Sequence, residues 1–351
     1  MLLNLCLIGA ALWLAPRMAQ PIVALAWGVL VAGIVQFTFQ LPFLARERLL
    51  PRPRPSFRDP GVRRVLVLMV PALFAVSVTQ INLLIDTMLA SFLETGSISW
   101  LYYSDRLMEF PLGILGVALA TVILPRLSRR QAEDAPEAFS HTLDWGLRMT
   151  VLFGVPAAVG LLLLAGPMLA TLFESDVFDA YDVEMATRSL VAYSLGLQAF
   201  ILIKVLAPGF YARQDTRTPV RIGVIAMVVN MVLNLLLIWP LQHAGLALAT
   251  SLSSYLNAYL LWRGLRQSGA YRPDVGWGRL GIQVALAVAV MTGVVLLLAP
   301  ELAAWLAADR IDRVLWLTTA VVAGGLAYLG VLVVAGVRPS QLRGRPKVGA
   351  G

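Results

Sequence analysis

The chain has 351 residues, of which 59% are hydrophobic and 14% are charged, and its mean hydropathy is +0.77. Soluble domains of this length do not have that balance, and the apolar residues fall in blocks of about twenty, enough to cross ~30 Å of hydrocarbon as helix. The net charge of +8 comes from arginines gathered between the apolar blocks, which a positive-inside bias explains better than nucleic-acid binding. The single cysteine, Cys6, excludes a disulfide within the chain.

Hydropathy predicts an all-α polytopic membrane protein with about ten transmembrane helices. The predicted spans cover residues 2–15, 21–45, 65–93, 98–124, 143–173, 188–210, 219–239, 244–263, 278–299 and 313–335. The loops between them are alternately rich in arginine and poor in it or acidic, which predicts that both termini are cytoplasmic. Residues 46–64 form a basic loop with four prolines, residues 338–351 form a basic tail, and Pro125 is expected to end the fourth span.

No phosphate-binding glycine loop, zinc-ligand spacing or nucleophile elbow is present in the sequence, so the chain is not predicted to be an enzyme. His141 and His243 lie at the edges of predicted loops and are expected to be solvated. Four basic residues border the cytoplasmic ends of the sixth and seventh spans: Lys204, Arg213, Arg217 and Arg221. They are typical of snorkelling anchors, although such a rim also suits an anionic lipid head group.

The fourth span carries three ionisable residues within an apolar run, Asp105, Arg106 and Glu109. Charges at this depth usually face a wet cavity or a partner, because burying them in hydrocarbon is costly. Arg106 lies about eight residues, or ~12 Å, from the outer end of the span. Two interpretations remain open. Arg106 pairs with Glu109 or Asp105 and holds helices together, or it faces an aqueous cavity and presents its guanidinium to a phosphate.

A second polar set combines one carboxylate, two amides and one hydroxyl from three spans. Its members are Asp86, Asn230, Asn234 and Thr250. Counting residues from the outer ends of the spans places all four at a similar depth. Oxygen donors of this kind suit a hard monovalent cation such as Na⁺, although hydrogen bonds between helices would use the same side chains. No other cofactor is indicated.

Two segments resemble the signature segments of the MurJ/MviN lipid II flippase family: residues 102–113, YYSDRLMEFPLG, and residues 204–220, KVLAPGFYARQDTRTPV. The resemblance extends over essentially the whole chain. It implies the fourteen-helix multidrug/oligosaccharidyl-lipid/polysaccharide exporter fold, with the ten predicted spans similar to helices five to fourteen. Residues 1–45 would be the last two helices of the N-lobe, the first of them truncated. Residues 65–266 would be the six-helix C-lobe, and residues 278–337 two extra helices that hold the lipid tail.

The resemblance also implies a function, the movement of lipid II across the bacterial inner membrane by alternating access. Lipid II is the undecaprenyl-pyrophosphate-linked muropeptide used in cell-wall synthesis. Because the first four helices of the family are absent, the chain is not expected to flip lipid alone. The alternatives are a related polysaccharide-lipid flippase, a drug/cation antiporter, or a non-transporting scaffold of the cell-wall synthesis machinery.

For the site, the resemblance implies that Arg106 contacts the pyrophosphate, with Asp105 and Glu109 as its polar neighbours. It further implies that the second polar set corresponds to the sodium site of some family members: Asp86, Asn230, Asn234 and Thr250. Asn234 departs from the sodium-binding form, in which a second carboxylate is expected at this position, and that departure would weaken cation binding.

Overall fold

The computed structural model describes residues 1–47, 62–63, 69 and 80–337. Within these residues, seven helices are long and apolar enough to cross a membrane. Contacts divide the chain into two units, Met1–Val70 and Pro71–Gly351. Most of the predicted basic loop 46–64, the first half of the third span and the predicted tail 338–351 lie outside the described residues.

The first unit contains a helical hairpin. Its elements are α1 (Leu2–Gly9), a π-type turn (Ala10–Leu14), a 3₁₀ turn (Ala15–Arg17) and α2 (Pro21–Arg46). The buried residues of α2 are small and recur every four positions: Ala24, Gly28 and Ala32. A Cβ atom at Gly28 would lie 2.8 Å from the Cβ of Ala10, so the hairpin packs too closely for a larger side chain there.

The second unit is built around one long central helix, α9. In chain order its helices are α3 (80–91), α4 (Ser97–Pro111), α5 (Ala118–Ala132), α6 (Pro136–Met149), α7 (Val155–Leu163), α8 (Ala165–Phe173), α9 (Ala180–Tyr211), α10 (Arg217–Gln267), α11 (Trp277–Leu298), α12 (Leu302–Ala307) and α13 (Arg310–Val334). Two π-type turns, Leu112–Val117 and Thr150–Gly154, join α4 to α5 and α6 to α7 into continuous spans. Helix α9 packs against α4, α5, α7, α8 and α10.

Helix α10 is a hairpin of two helices. Its backbone leaves the helical region at Gln242, where φ is 50° and ψ is −132°. Asn230 Nδ2 donates to Thr250 Oγ1 at 3.2 Å, although twenty residues of straight helix would span ~30 Å. The chain therefore reverses at Gln242, and the two halves of α10, 217–241 and 243–267, are the seventh and eighth predicted spans.

The all-α membrane fold predicted from hydropathy is confirmed, with two corrections to its boundaries. The fourth span does not end at Pro125, because the helix continues to Ala132. Ile123 and Leu127 on either side of the proline are fully buried, and their packing offsets the backbone hydrogen bond that proline cannot donate. The fifth span begins earlier, at Pro136, and breaks at Leu164, where Pro167 would clash with a continuous helix.

Asp215 holds the turn that enters α10, since its Oδ1 accepts the backbone N–H of Thr218 at 3.0 Å. Hydrogen bonds from the side chain and the backbone of Thr218 lower the pKa of Asp215 below its ordinary value. A lowered pKa in the folded state means that the stabilisation is present at neutral pH and is lost as the pH falls through that pKa.

We expect Asp215→Ala to lower the free energy of unfolding by roughly 0.5–1 kcal/mol at neutral pH, a modest value because the site is exposed to solvent. The difference in melting temperature between the two proteins should shrink as the buffer is acidified below the ordinary pKa of an aspartate. A difference that stays constant with pH would contradict this role of the carboxylate.

Candidate functional site

Helix α4 has two faces of opposite character. The buried face includes Trp100, Ser104, Leu107 and Met108. The exposed face includes Tyr102, Arg106, Glu109 and Phe110. Each set recurs at helical spacing, so the packing of one face turns the other away from the body of the second unit.

Hydrogen bonds fix the buried face of α4 to α9. Trp100 Nε1 donates to Asp182 Oδ1 at 2.6 Å, and Ser104 Oγ donates to the carbonyl of Ala186 at 2.7 Å. Both Trp100 and Ser104 are almost completely buried. These two contacts set the rotation of α4 and hence the direction in which Arg106 points.

His243 packs against the contact between α4 and α9 and is not the solvated loop residue expected from the sequence. Its side chain is 1% exposed, its Nε2 lies 2.9 Å from the carbonyl oxygen of Met185, and its ring centroid lies 4.8 Å from that of Trp100. The reversal at Gln242 buries the imidazole against Trp100. His141 is exposed as predicted and contacts Asp274 through Nδ1 at 2.7 Å.

Arg106 is paired on its own helix and still half-exposed. Its Nη1 lies 2.6 Å from Glu109 Oε2, and the two side chains are 51% and 50% exposed. Its guanidinium carbon lies 4.9 Å from the centroid of the Tyr102 ring. The ion pair predicted within this helix is therefore formed with Glu109. Asp105 forms no ion pair with Arg106, although it lies one residue away and is partly buried.

This geometry leaves Arg106 able to bind an anion. Glu109 uses one edge of the guanidinium and Tyr102 covers it, while most of its five N–H donors have no partner in the described part of the chain. A half-exposed ion pair is unfavourable against hydrocarbon, so this face is suited to water or to a polar ligand. The planar fork of the guanidinium matches the oxygens of a phosphate.

The second polar set comes together within hydrogen-bonding distance. Asn234 Nδ2 donates to Asp86 Oδ1 at 2.6 Å and to Asn230 Oδ1 at 3.1 Å. Asn230 Nδ2 in turn donates to Thr250 Oγ1 at 3.2 Å. We name these four residues, together with Asn82, the polar cluster. The sequence reasoning missed Asn82, whose Nδ2 donates to Asp86 Oδ2 at 3.2 Å from one helical turn away.

Two acceptors of the polar cluster are unused. The Oδ1 atoms of Asn82 and Asn234 are buried without a hydrogen-bond partner in the described part of the chain. Buried amide oxygens are normally satisfied, and leaving one unpaired costs about 1–3 kcal/mol. Groups of three or more His, Cys, Asp or Glu side chains that could hold a metal ion are absent from the described residues. Neutral oxygens around one carboxylate suit a monovalent cation better than a transition metal.

A third set of polar contacts, at Asp144, was not predicted. This side chain is 1% exposed and accepts hydrogen bonds from Arg148 Nε at 2.6 Å, Tyr271 Oη at 2.7 Å and Trp277 Nε1 at 2.9 Å. It ties α6 to the segment that leads into α11.

A further ion pair lies at the start of α13, where Arg313 pairs with Glu174 and donates to the carbonyl of Leu306.

The basic rim predicted at the ends of α9 and α10 has mixed surroundings. Lys204 is exposed, and its stem lies against Gly116, where an added Cβ would be 3.3 Å from the lysine Cγ. Arg213 Nη1 donates to Ser268 Oγ at 2.8 Å. These contacts are compatible both with snorkelling anchors and with a surface for head groups.

Comparison with known proteins identifies the relatives of this chain. Residues 1–315 match the family model described as lipid II flippase MurJ. The chain is 52% identical over 341 residues to the probable lipid II flippase MurJ of Vibrio cholerae serotype O1, and the match covers 97% of this chain and 65% of that relative. It is 43% identical over 352 residues to the lipid II flippase MurJ of Burkholderia cenocepacia, covering 99% of this chain and 68% of that relative.

Solved structures share the fold. A lipid II flippase MurJ in an inward closed conformation matches with a TM-score of 0.75 at 23% identity, covering 95% of this chain and 65% of that one. An outward-facing multidrug resistance MATE family transporter of the MOP superfamily matches with a TM-score of 0.51 at 16% identity, covering 78% and 64%. The chain thus spans about two thirds of the length of the proteins it matches. Because the family model matches residues 1–315 and a curated relative is 52% identical, this chain belongs to the lipid II flippase MurJ family.

Proposed function

We propose that this protein takes part in moving lipid II across the inner membrane of a bacterium, and that Arg106 contacts the pyrophosphate of the lipid. The observation that carries the proposal is a half-exposed guanidinium on a membrane-spanning helix, held by Glu109 and Tyr102, with most of its donors unpaired among the described residues. The names of the relatives supply the substrate. Binding and release of a charged head group require no covalent chemistry, so no enzymatic activity is proposed.

The proposed movement is alternating access, in which two lobes rock about a central polar cavity while the undecaprenyl tail stays in lipid. The arginine-rich helix ends would then face the cytoplasm, as the positive-inside rule predicts. Lipid II is the proposed substrate, and membrane lipids surround the spans. The proposal also includes association with the cell-wall synthesis machinery. A pure scaffold would have no need for a half-exposed arginine on α4.

Growth of cells depleted of their own lipid II flippase tests the proposal. The chain is joined to the third of the Vibrio cholerae relative that it does not match, so that the protein has the length of the family. We expect growth to be rescued, and lipid II to become accessible to a lipid II-cleaving enzyme added from outside. Membrane insertion without rescue or cleavage would contradict the flippase function and leave the scaffold alternative.

We also propose that the polar cluster binds Na⁺. The unused oxygens of Asn82 and Asn234 and the carboxylate of Asp86 support this assignment, because together they form an oxygen-rich site with a single negative charge. When bound, the ion would supply the positive charge that these acceptors lack. The presence of Asn234 where a second carboxylate is expected predicts weak affinity.

Sodium should therefore raise the thermal stability of the purified chain when it replaces K⁺ at constant ionic strength. The expected gain is roughly 1–3 kcal/mol at concentrations well above the dissociation constant. Asp86→Asn should abolish the difference between the two ions, whereas Asp309→Asn, at an exposed helix end, should leave it intact. Equal melting temperatures in Na⁺ and K⁺ would contradict Na⁺ binding, and the polar cluster would then only join helices through hydrogen bonds.

A further inference from the structure

A cavity of about 340 Å³ lies between α9 and the two halves of α10. Among the described residues, seven side chains with polar groups line it: Asn82, Asn230, Thr250, Ser253, Ser254, Asn257 and Tyr211. The first three also belong to the polar cluster, so the cavity begins at the proposed cation site.

From Thr250 onward the polar residues follow one face of α10. Ser253, Ser254 and Asn257 come three, four and seven residues later, the spacing at which helical side chains lie one above another. Asn257 is thus ~10 Å along the helix from Thr250. Tyr211 and Pro219 line the same cavity at the arginine-rich ends of α9 and α10, so the cavity runs from the middle of the lobe to one end of it.

The polar groups along this face offer acceptors to the cavity. Ser253 Oγ and Ser254 Oγ both donate to the carbonyl of Thr250, at 3.0 and 2.8 Å, which leaves the lone pairs of the hydroxyl oxygens available. Asn230 Nδ2 is used by Thr250. The amides of Asn230 and Asn257 keep N–H donors as well, and the neutral oxygens along this face suit water or a monovalent cation.

Charged side chains do not line the cavity among the described residues. Two arginines near its arginine-rich end are engaged elsewhere. Arg213 donates to Ser268, and Arg266 lies over the ring of Trp262 at 5.0 Å. The nearest acidic group at the far end is Asp86, which contacts Asn82 and Asn234. The cavity therefore joins an end bordered by arginines, none of which is among its described lining residues, to a site with one negative charge.

We propose that this cavity is the hydrated route by which a monovalent cation reaches the polar cluster from the arginine-rich ends of α9 and α10. The inference rests on the proposed Na⁺ site and adds the side from which the ion arrives and the residues that it passes. Ser254 and Asn257 lie along the route, and a cation there would exchange part of its water shell for their oxygens.

Cysteine accessibility tests the route in the full chain. In a Cys6→Ser background, Ser254→Cys and Asn257→Cys are each reacted with a charged, membrane-impermeant thiol reagent in inside-out membrane vesicles. Both should react at least roughly tenfold faster than Ala258→Cys, a neighbouring position that is 4% exposed. Replacing choline with Na⁺ should slow the reaction at Ser254→Cys several-fold.

Reaction at Ser254→Cys as slow as at Ala258→Cys, or unchanged by Na⁺, would overturn the route, and faster reaction in right-side-out vesicles would overturn its direction. Stabilisation of the unsubstituted chain by Na⁺ is measured separately. If that stabilisation is present while labelling is absent, the route fails and the proposed site stands. If both are absent, the proposed site fails with it. Rescue of growth in flippase-depleted cells reports on lipid transport independently of either result.

Discussion

Replacing Arg106 with alanine is expected to weaken the binding of lipid II to the purified chain in lipid nanodiscs by ten- to a hundredfold. A hydrogen bond to a charged group contributes about 1.5–3 kcal/mol, and each 1.4 kcal/mol corresponds to roughly a factor of ten in affinity. The substitution also leaves Glu109 without its partner on a face that would then repel a pyrophosphate. Arg106→Lys keeps the charge but loses the planar fork, so its affinity for lipid II should lie between those of the unsubstituted chain and Arg106→Ala.

Arg188→Ala is the matched control for this experiment. Arg188 is 57% exposed and pairs with Glu184 on its own helix at 2.9 Å, as Arg106 pairs with Glu109. It lies near the acidic N-terminal end of α9, whereas the proposed contact lies on α4. Equal losses at both positions would mean that binding depends on net charge alone, and an unchanged affinity for Arg106→Ala would exclude Arg106 from the site.

Replacing Asp144 with alanine is expected to cause the largest loss of stability, about 3–5 kcal/mol, which is typical of removing one partner from a buried ion pair. The carboxylate is 1% exposed and accepts bonds from Arg148, Tyr271 and Trp277. Its loss would leave Arg148 without its counterion and the donors of Tyr271 and Trp277 without their acceptor. It would also weaken the attachment of the segment that leads into α11, which would keep the bond from Arg148 Nη2 to the carbonyl of Val275.

Thermal unfolding of the chain in detergent measures this effect. Asp144→Asn keeps an acceptor and should lose less stability than Asp144→Ala, while Glu137→Ala, an exposed carboxylate in the first turn of the same helix, should lose little. The fraction of Asp144→Ala protein that stays folded should bind lipid II with nearly normal affinity, because Asp144 and its partners do not include the exposed face of α4. A stability loss no larger than that of Glu137→Ala would contradict the role of Asp144.

The sequence allowed the helices and some of the side-chain contacts to be predicted because the relevant signals are local or topological. Alternation of arginine-rich loops gives the direction of each span and hence which residues share a depth. That reasoning placed Asp86, Asn230 and Thr250 at one level, and in the structure hydrogen bonds through Asn234 and Asn230 join them. The Arg106–Glu109 pair follows directly from their separation by three residues.

What could not be predicted depends on contacts between distant parts of the chain. Asp144 meets Tyr271 across 127 residues, and no local pattern signals such a partner. His243 was expected in solvent because it adjoins a turn, yet the reversal at Gln242 buries it against Trp100. Pro125 was expected to end a helix, but the burial of Ile123 and Leu127 offsets the lost hydrogen bond. For His243 and Pro125, tertiary packing overrides the expectation from local sequence.

Photo-crosslinking in living cells tests the central claim most directly. A photoreactive phenylalanine analogue replaces Tyr102, which lies beside Arg106 on the exposed face of α4, or Tyr181, a tyrosine of similar exposure at the acidic end of α9. We predict a lipid II adduct at position 102 that is weaker at position 181 and is lost when Arg106→Ala is added. Equal adducts at both positions, or an adduct at position 102 that survives Arg106→Ala, would contradict the claim that this face of α4 binds the lipid-linked pyrophosphate.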